Sequence, residues 1–182
     1  MTILSLWLPI LLAAVGVWIA SSIVWMVLPH HKSDFRGLPD EPAARKALAG
    51  APPGQYNLPY FADRADMTKP DGKRLMDEGP VGLVTIWPNG LPAMGKLLGI
   101  WFVYCIVVGA AVAYVATRTL APGAEYLEVF RITGTVAWLA YGSATVHQSV
   151  WFGQPWSTTF KHLADALLYA LVTAGIFGWL WA

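Results

Sequence analysis

The sequence predicts an all-α integral membrane protein: four transmembrane helices in a bundle, with a long polar loop between the first and second spans. Three observations lead there. Hydrophobic residues make up 56% of the 182 residues and charged residues only 13%, against roughly 25% charged in soluble domains. The mean hydropathy is +0.49. The apolar residues collect in long uncharged runs, and about 20 such residues suffice to cross the hydrocarbon of a bilayer. The 10 tryptophans fit the same setting, since amphipathic indoles favour the membrane interface.

Charge and cysteine usage exclude other classes. A formal net charge of +1, without a basic stripe, leaves nothing to attract nucleic acid. The single cysteine, Cys105, lies inside an apolar run, which rules out an internal disulfide framework and a cysteine-based zinc site.

The first segment, residues 1–28, holds the run Ile3 to Leu28, which carries no charge. No basic stretch precedes it, and it exceeds the roughly 7–15 apolar residues of a signal-peptide core. It is therefore expected to stay as an anchor. Gly16 and Ala20 form a small-xxx-small pair that would let another helix approach.

Residues 29–96 form the polar loop, with nine Lys/Arg and eight Asp/Glu. Turn punctuation runs through it, at Pro52-Pro53-Gly54, Lys69-Pro70-Asp71-Gly72 and Pro88-Asn89-Gly90. Asp40 is placed to cap a short helix over Glu41 to Leu48, with Gly50 just past its end. A second short helix is expected over Pro70 to Glu78. Gln55 to Phe61 and Leu83 to Trp87 read as extended segments.

Residues 97–182 hold the remaining spans: Leu97 to Thr117, about Tyr126 to Phe152, and about Ser157 to Trp181. Gly109, Ala110, Ala111 and Ala113 give the second span a close-packing face. Lys32, Arg36, Lys96 and Lys161 sit at one set of span ends and only Arg118 at the other. The positive-inside rule then puts the long loop in the cytoplasm and both termini outside.

The polar residues within the spans are the candidates for function. At 100° per residue, Thr158, His162, Asp165, Tyr169 and Thr173 share one narrow stripe of the fourth span. A carboxylate at that depth faces the bundle interior or a partner. Two local partners are available to Asp165 as well: Lys161 at i−4 and His162 at i−3. The third span carries Glu128 and Arg131, three apart, which are expected to pair at the outer face. His147 lies near the hairpin turn, at the level of His162. Alternating spans also bring His30 and His31 to that membrane side. His147, His162, Asp165 and Tyr169 thus form a candidate polar site, and His30, His31, His147 and His162 a candidate ligand set for a metal ion or haem b. A Ser143–His147–Asp165 nucleophile has nothing to activate or expose the serine.

Four blocks carry a resemblance: Pro52 to Tyr56, Pro92 to Lys96, Tyr126 to Arg131, and Tyr169 to Gly175 with Trp179 to Trp181. On these the chain resembles small bacterial inner-membrane proteins with four spans. The likeness implies the span count and carries no catalytic or binding residues.

The expectation from the sequence is a non-enzymatic multi-pass protein of the inner membrane. It would serve as an accessory, assembly or structural subunit, with the bilayer and other membrane subunits or its own copies as partners. The alternative is a redox, metal- or haem-binding protein that uses the histidines. A small transporter is a distant third, since broken helices and repeats are absent.

Overall fold

The computed structural model describes residues 2–181. The chain is mostly helical and divides into two compact units, one of residues 2–35, 92–149 and 154–181, the other of 36–91 and 150–153. Each is treated by itself.

The first unit is built on four long helices. Helix α1 spans Trp7–Ser22, preceded by a 3-10 turn at Ile3–Leu6 and followed by a π-helical turn at Ile23–Val27. In order along the chain, α4 spans Met94–Thr119, α5 Tyr126–Phe152 and α6 Trp156–Trp179; the short helices α2 (Glu41–Ala47) and α3 (Pro70–Glu78) belong to the other unit. Among the described residues, three helices are both long and apolar enough to cross a membrane: Ile3–Val27, Met94–Thr119 and Trp156–Trp179. Helix α5 has the length, at 27 residues, but is not among the three. Its polar residues explain why: Glu128 and Arg131 stand in its first turns, and His147, Gln148 and Ser149 near its end.

Small residues set the helix spacing. A Cβ on Gly16 of α1 would lie 2.8 Å from Val172 Cγ1 of α6, and one on Gly109 of α4 would lie 3.2 Å from Ile10 of α1. Helix α1 thus packs on both α4 and α6. A Cβ on Gly134 would lie 3.1 Å from Ala174 Cβ, and one on Gly142 3.1 Å from Ala166 Cβ. Position rises along α5 as it falls along α6, so the two run antiparallel. That follows from the short link between them, where Gly153 has φ +70° and Pro155 precedes the new helix. Val112, Ala113, Val129, Ala137 and Phe177 form the dry centre at 0% exposure.

Indole donors tie the helices where packing leaves an acceptor oxygen within reach. Trp18 Nε1 donates to Leu98 O at 3.1 Å, and Trp101 Nε1 to Ser21 Oγ at 2.8 Å. At the other end of the bundle, Trp181 Nε1 donates to Ala121 O at 3.0 Å. The first two join the end of α1 to the start of α4, so these helices are also antiparallel.

The second unit is small. Strands β1 (Gly54–Leu58) and β2 (Gly82–Ile86) pair antiparallel, with Tyr56 opposite Val84. Asp40 caps α2 by accepting from Ala43 N at 2.9 Å. Pro70 starts α3, where its missing N–H costs nothing. Gly72 is the one buried residue of these two helices; a Cβ there would run into Asp66 O at 2.0 Å.

Candidate functional site

The site gathers where α1 ends and α6 begins, and it starts from a helix irregularity. The last turn of α1 is π-helical, with Leu28 N donating to Ile23 O at 3.1 Å, an i→i−5 bond. Such bulges widen a helix and recur at functional sites. Pro29 then directs the chain into a 3-10 turn over His30–Asp34, which folds back beside α6. The indole of Trp25, in the π turn, stacks on His31 with centroids 3.9 Å apart and planes 5° from parallel.

Two carboxylates flank His31. Its Nδ1 lies 2.6 Å from Asp34 Oδ2 and its Nε2 lies 2.7 Å from Asp165 Oδ2. The other oxygen of Asp165 lies 3.2 Å from His30 Nε2. Lys161 Nζ donates to Asp34 Oδ1 at 2.6 Å, to His30 O at 2.6 Å and to Ser33 Oγ at 2.8 Å. His31 and Asp165 are buried, at 5% and 8% exposure. Burial of Asp34 would raise its pKa, but hydrogen bonds from Lys161 and then His31, with their charges, outweigh it and hold the carboxyl at about 2. Asp34 is therefore a carboxylate at neutral pH.

A count of protons limits what the cluster can be. A neutral imidazole has a single N–H. His31 faces a carboxylate oxygen from each ring nitrogen, so it needs one further cation, a proton or a metal ion. Two groups of side chains bring one ligand atom each to within 4.8 Å of one another: His30, His31 and Asp165, and His31, Asp34 and His162.

His162 stands at the edge of this cluster. Its Nδ1 lies 3.2 Å from Thr145 Oγ1 of α5, and its ring centroid 5.4 Å from that of His31. Nearby, Ser149 Oγ and Thr159 Oγ1 share a short hydrogen bond, and Gln154 Nε2 donates to Thr159 at 2.8 Å and Thr145 at 3.2 Å. The hairpin between α5 and α6 is thus closed by side-chain hydrogen bonds.

The stripe of α6 turns inward: Thr158, Asp165, Tyr169 and Thr173 are buried and His162 is half-buried. Asp165 takes neither local partner. Lys161 is drawn to Asp34, and Asp165 meets the two histidines that follow α1.

His147 is exposed on α5 and belongs to neither ligand group among the described residues. Thr145 meets His162 instead, and two residues further along a helix is about 200° of rotation. Glu128 and Arg131 are likewise exposed and border a shallow hollow with Thr119 and Ile132. Among the described residues no ion pair links them; an exposed pair at this spacing gains little to hold it. Asp34 and Trp25 went unremarked in the sequence. The spacing His31-x-x-Asp34 was the available signal, since i and i+3 share a face in a helical turn.

No family model, no curated protein and no solved structure matches the chain. The site is read from its own atoms.

Proposed function

We propose that this chain is a four-span membrane protein that binds a divalent first-row transition metal through His30, His31 and Asp165. The observation that carries this reading is the double engagement of His31. Its Nε2 and that of His30 converge on the Asp165 carboxylate, while its Nδ1 is held by Asp34. A metal on Nε2 leaves the proton on Nδ1, directed at Asp34. That is the carboxylate–histidine–metal arrangement that orients ligating imidazoles. Two imidazoles with one carboxylate suit zinc or ferrous iron and leave positions open for a further ligand.

One distance supports the same reading. Donors held about 2.0–2.2 Å from one ion lie roughly 3–3.5 Å apart; His30 Nε2 and Asp165 Oδ1 are 3.2 Å apart, whereas His31 Nε2 and Asp165 Oδ2, at 2.7 Å, are at hydrogen-bond distance and would have to separate slightly around an ion. A haem b finds less support. Axial ligands approach iron from opposite faces of the macrocycle, whereas the Nε2 atoms of His30 and His31 converge on one carboxylate.

In this reading α5 is the third of four spans. Its antiparallel course against α6 and its 27 residues support that, and the Lys/Arg bias supports a cytoplasmic loop. Small-residue faces on α1 and α4 could serve an accessory subunit by admitting a partner's helix. Gly16 and Gly109 are filled from within the chain, so they no longer argue for an outside partner.

The test is metal content. Purified protein, stripped and then incubated with Zn²⁺ or Fe²⁺, should retain stoichiometric metal by mass spectrometry. His31→Ala and Asp165→Asn should lose it; His147→Ala and Glu128→Gln should keep it. Wild-type protein that retains neither ion, or His31→Ala and Asp165→Asn variants that retain as much as wild type, would overturn the proposal. The cluster would then be an ion-pair latch, and the accessory-subunit reading would stand.

A further inference from the structure

Beside the histidine cluster the four long helices leave a chamber of about 580 Å³. That falls within the roughly 300–1,000 Å³ of small-molecule sites. All four helices line it. Trp25 and Met26 come from the π turn after α1, Met94 and Trp101 from α4, Tyr141 from α5, and Tyr169 from α6. Thr145, His162 and Asp165 supply the polar end.

Tyr169 is the informative residue. It is buried, at 5% exposure, and its hydroxyl hydrogen has no acceptor. The Trp25 indole beside it can only donate. A buried hydroxyl left unmade costs about 1–3 kcal/mol, and buried polar groups are satisfied as a rule. The phenol forms part of the chamber wall with its oxygen just beneath that wall, so an acceptor that seats against it, with a small shift of the wall, would complete it.

We infer that this chamber binds a lipid-soluble planar ring bearing a carbonyl oxygen, the chemistry of a quinone, with that oxygen accepting from Tyr169. Three features choose this occupant. The walls are aromatic, and aromatic rings gain from offset or edge contacts with another ring beyond the area they bury. Polar groups gather at one end, so the occupant is apolar with a polar edge. The mouth is apolar: Trp25, Met26, Met94 and Leu97 line the chamber and are exposed, at 46%, 59%, 51% and 42%. Entry past such side chains suits a molecule dissolved in the bilayer, and thioethers adapt to varied shapes. The inference needs no metal at His30, His31 and Asp165, so the two proposals stand or fall separately.

The experiment is equilibrium binding of radiolabelled tetramethylbenzoquinone to the full chain in lipid nanodiscs, with empty nanodiscs subtracted. Wild-type protein should show a saturable site, one per chain. Tyr169→Phe keeps the ring, removes the donor and should weaken binding about tenfold. Thr145→Trp, which fills the polar end, should abolish binding, and helicity by circular dichroism checks that it folds. Stripping divalent metal with a chelator should leave binding within about twofold of the untreated protein, which separates this site from the metal site. Absence of saturable binding to wild type would make the chamber a water-filled one and overturn the inference. So would Tyr169→Phe and Thr145→Trp binding as wild type does. Equal competition by decanol, a flexible chain without a ring or carbonyl, would overturn the ligand class.

Discussion

Lys161 Nζ lies 2.6 Å from Asp34 Oδ1, and the ion pair joins a turn that follows the first span to the first turns of the last helix, 127 positions away in sequence. Asp165 stands four residues along the same helix, and Lys161 passes it over. Asp34 has only 3% of its side chain exposed and Lys161 26%, so Asp34 depends on this partner more than Lys161 does.

Removal of the lysine strands a buried carboxylate. Lys161→Met should destabilise the protein by about 3 kcal/mol, the low end of what breaking one side of a buried pair costs, because Lys161 is itself partly exposed. Asp34→Asn added to Lys161→Met should recover part of the loss. Thermal or SDS-induced unfolding in detergent micelles measures both. Equal stability of Lys161→Met and wild type would mean that the contact carries no net energy.

The same pair sets an acid limit. The folded-state pKa of Asp34, about 2, lies below its ordinary value of 3.8. The unfolded chain therefore binds more protons between those values, and stability rises with pH across them. The contribution is fully present above about pH 4 and is lost as pH falls towards 2. Unfolding midpoints of wild type and Asp34→Asn, measured between pH 4 and pH 2, should lie furthest apart near pH 4 and converge as the pH drops. A gap that widens on acidification would reverse the assignment.

Two glycines on neighbouring long helices should respond in opposite directions. A Cβ on Gly142 meets Ala166 Cβ at 3.1 Å and Leu163 Cδ2 at 3.2 Å; one on Gly99 meets nothing within 4 Å. Gly142→Leu should cost about 1–3 kcal/mol or more through overpacking, with the α5–α6 hairpin forced apart. Gly99→Ala should be neutral or stabilising by up to about 1 kcal/mol, as helix propensity favours alanine. Melting temperatures of the two variants decide the matter.

Orientation is open to a labelling test. In a Cys105→Ala background, Gly37→Cys places a thiol on an exposed residue with open space around it. With the loop in the cytoplasm, an impermeant maleimide should label it only after cells are permeabilised. Prompt labelling of intact cells would invert the topology.

Several features of this protein are properties of short stretches, and the sequence alone determines them. The runs Ile3–Val27, Met94–Thr119 and Trp156–Trp179 are long and apolar, which makes each a membrane helix candidate whatever its neighbours do. The stripe from Thr158 to Thr173 follows from the helical period, and the cost of a lipid-facing carboxylate orients Asp165. The caps of the loop helices, such as Asp40, are equally local. The partners were not legible. Asp165 had Lys161 and His162 at helical spacing and took His30 and His31 instead. Lys161 took Asp34. Those choices depend on the π turn and the 3-10 turn that carry the chain after α1 back against α6, a path that hydrophobic periodicity does not encode. The register of α5 against α6 likewise put Thr145 on His162. Helix α5 is the mixed case, because its polar residues dilute the hydropathy signal while its antiparallel packing depends on Gly134 and Gly142 meeting Ala174 and Ala166. Composition and period are one-dimensional quantities and reveal which faces must be buried. The pairing of buried polar atoms is decided by which chain segments meet, and that is a property of the tertiary structure alone.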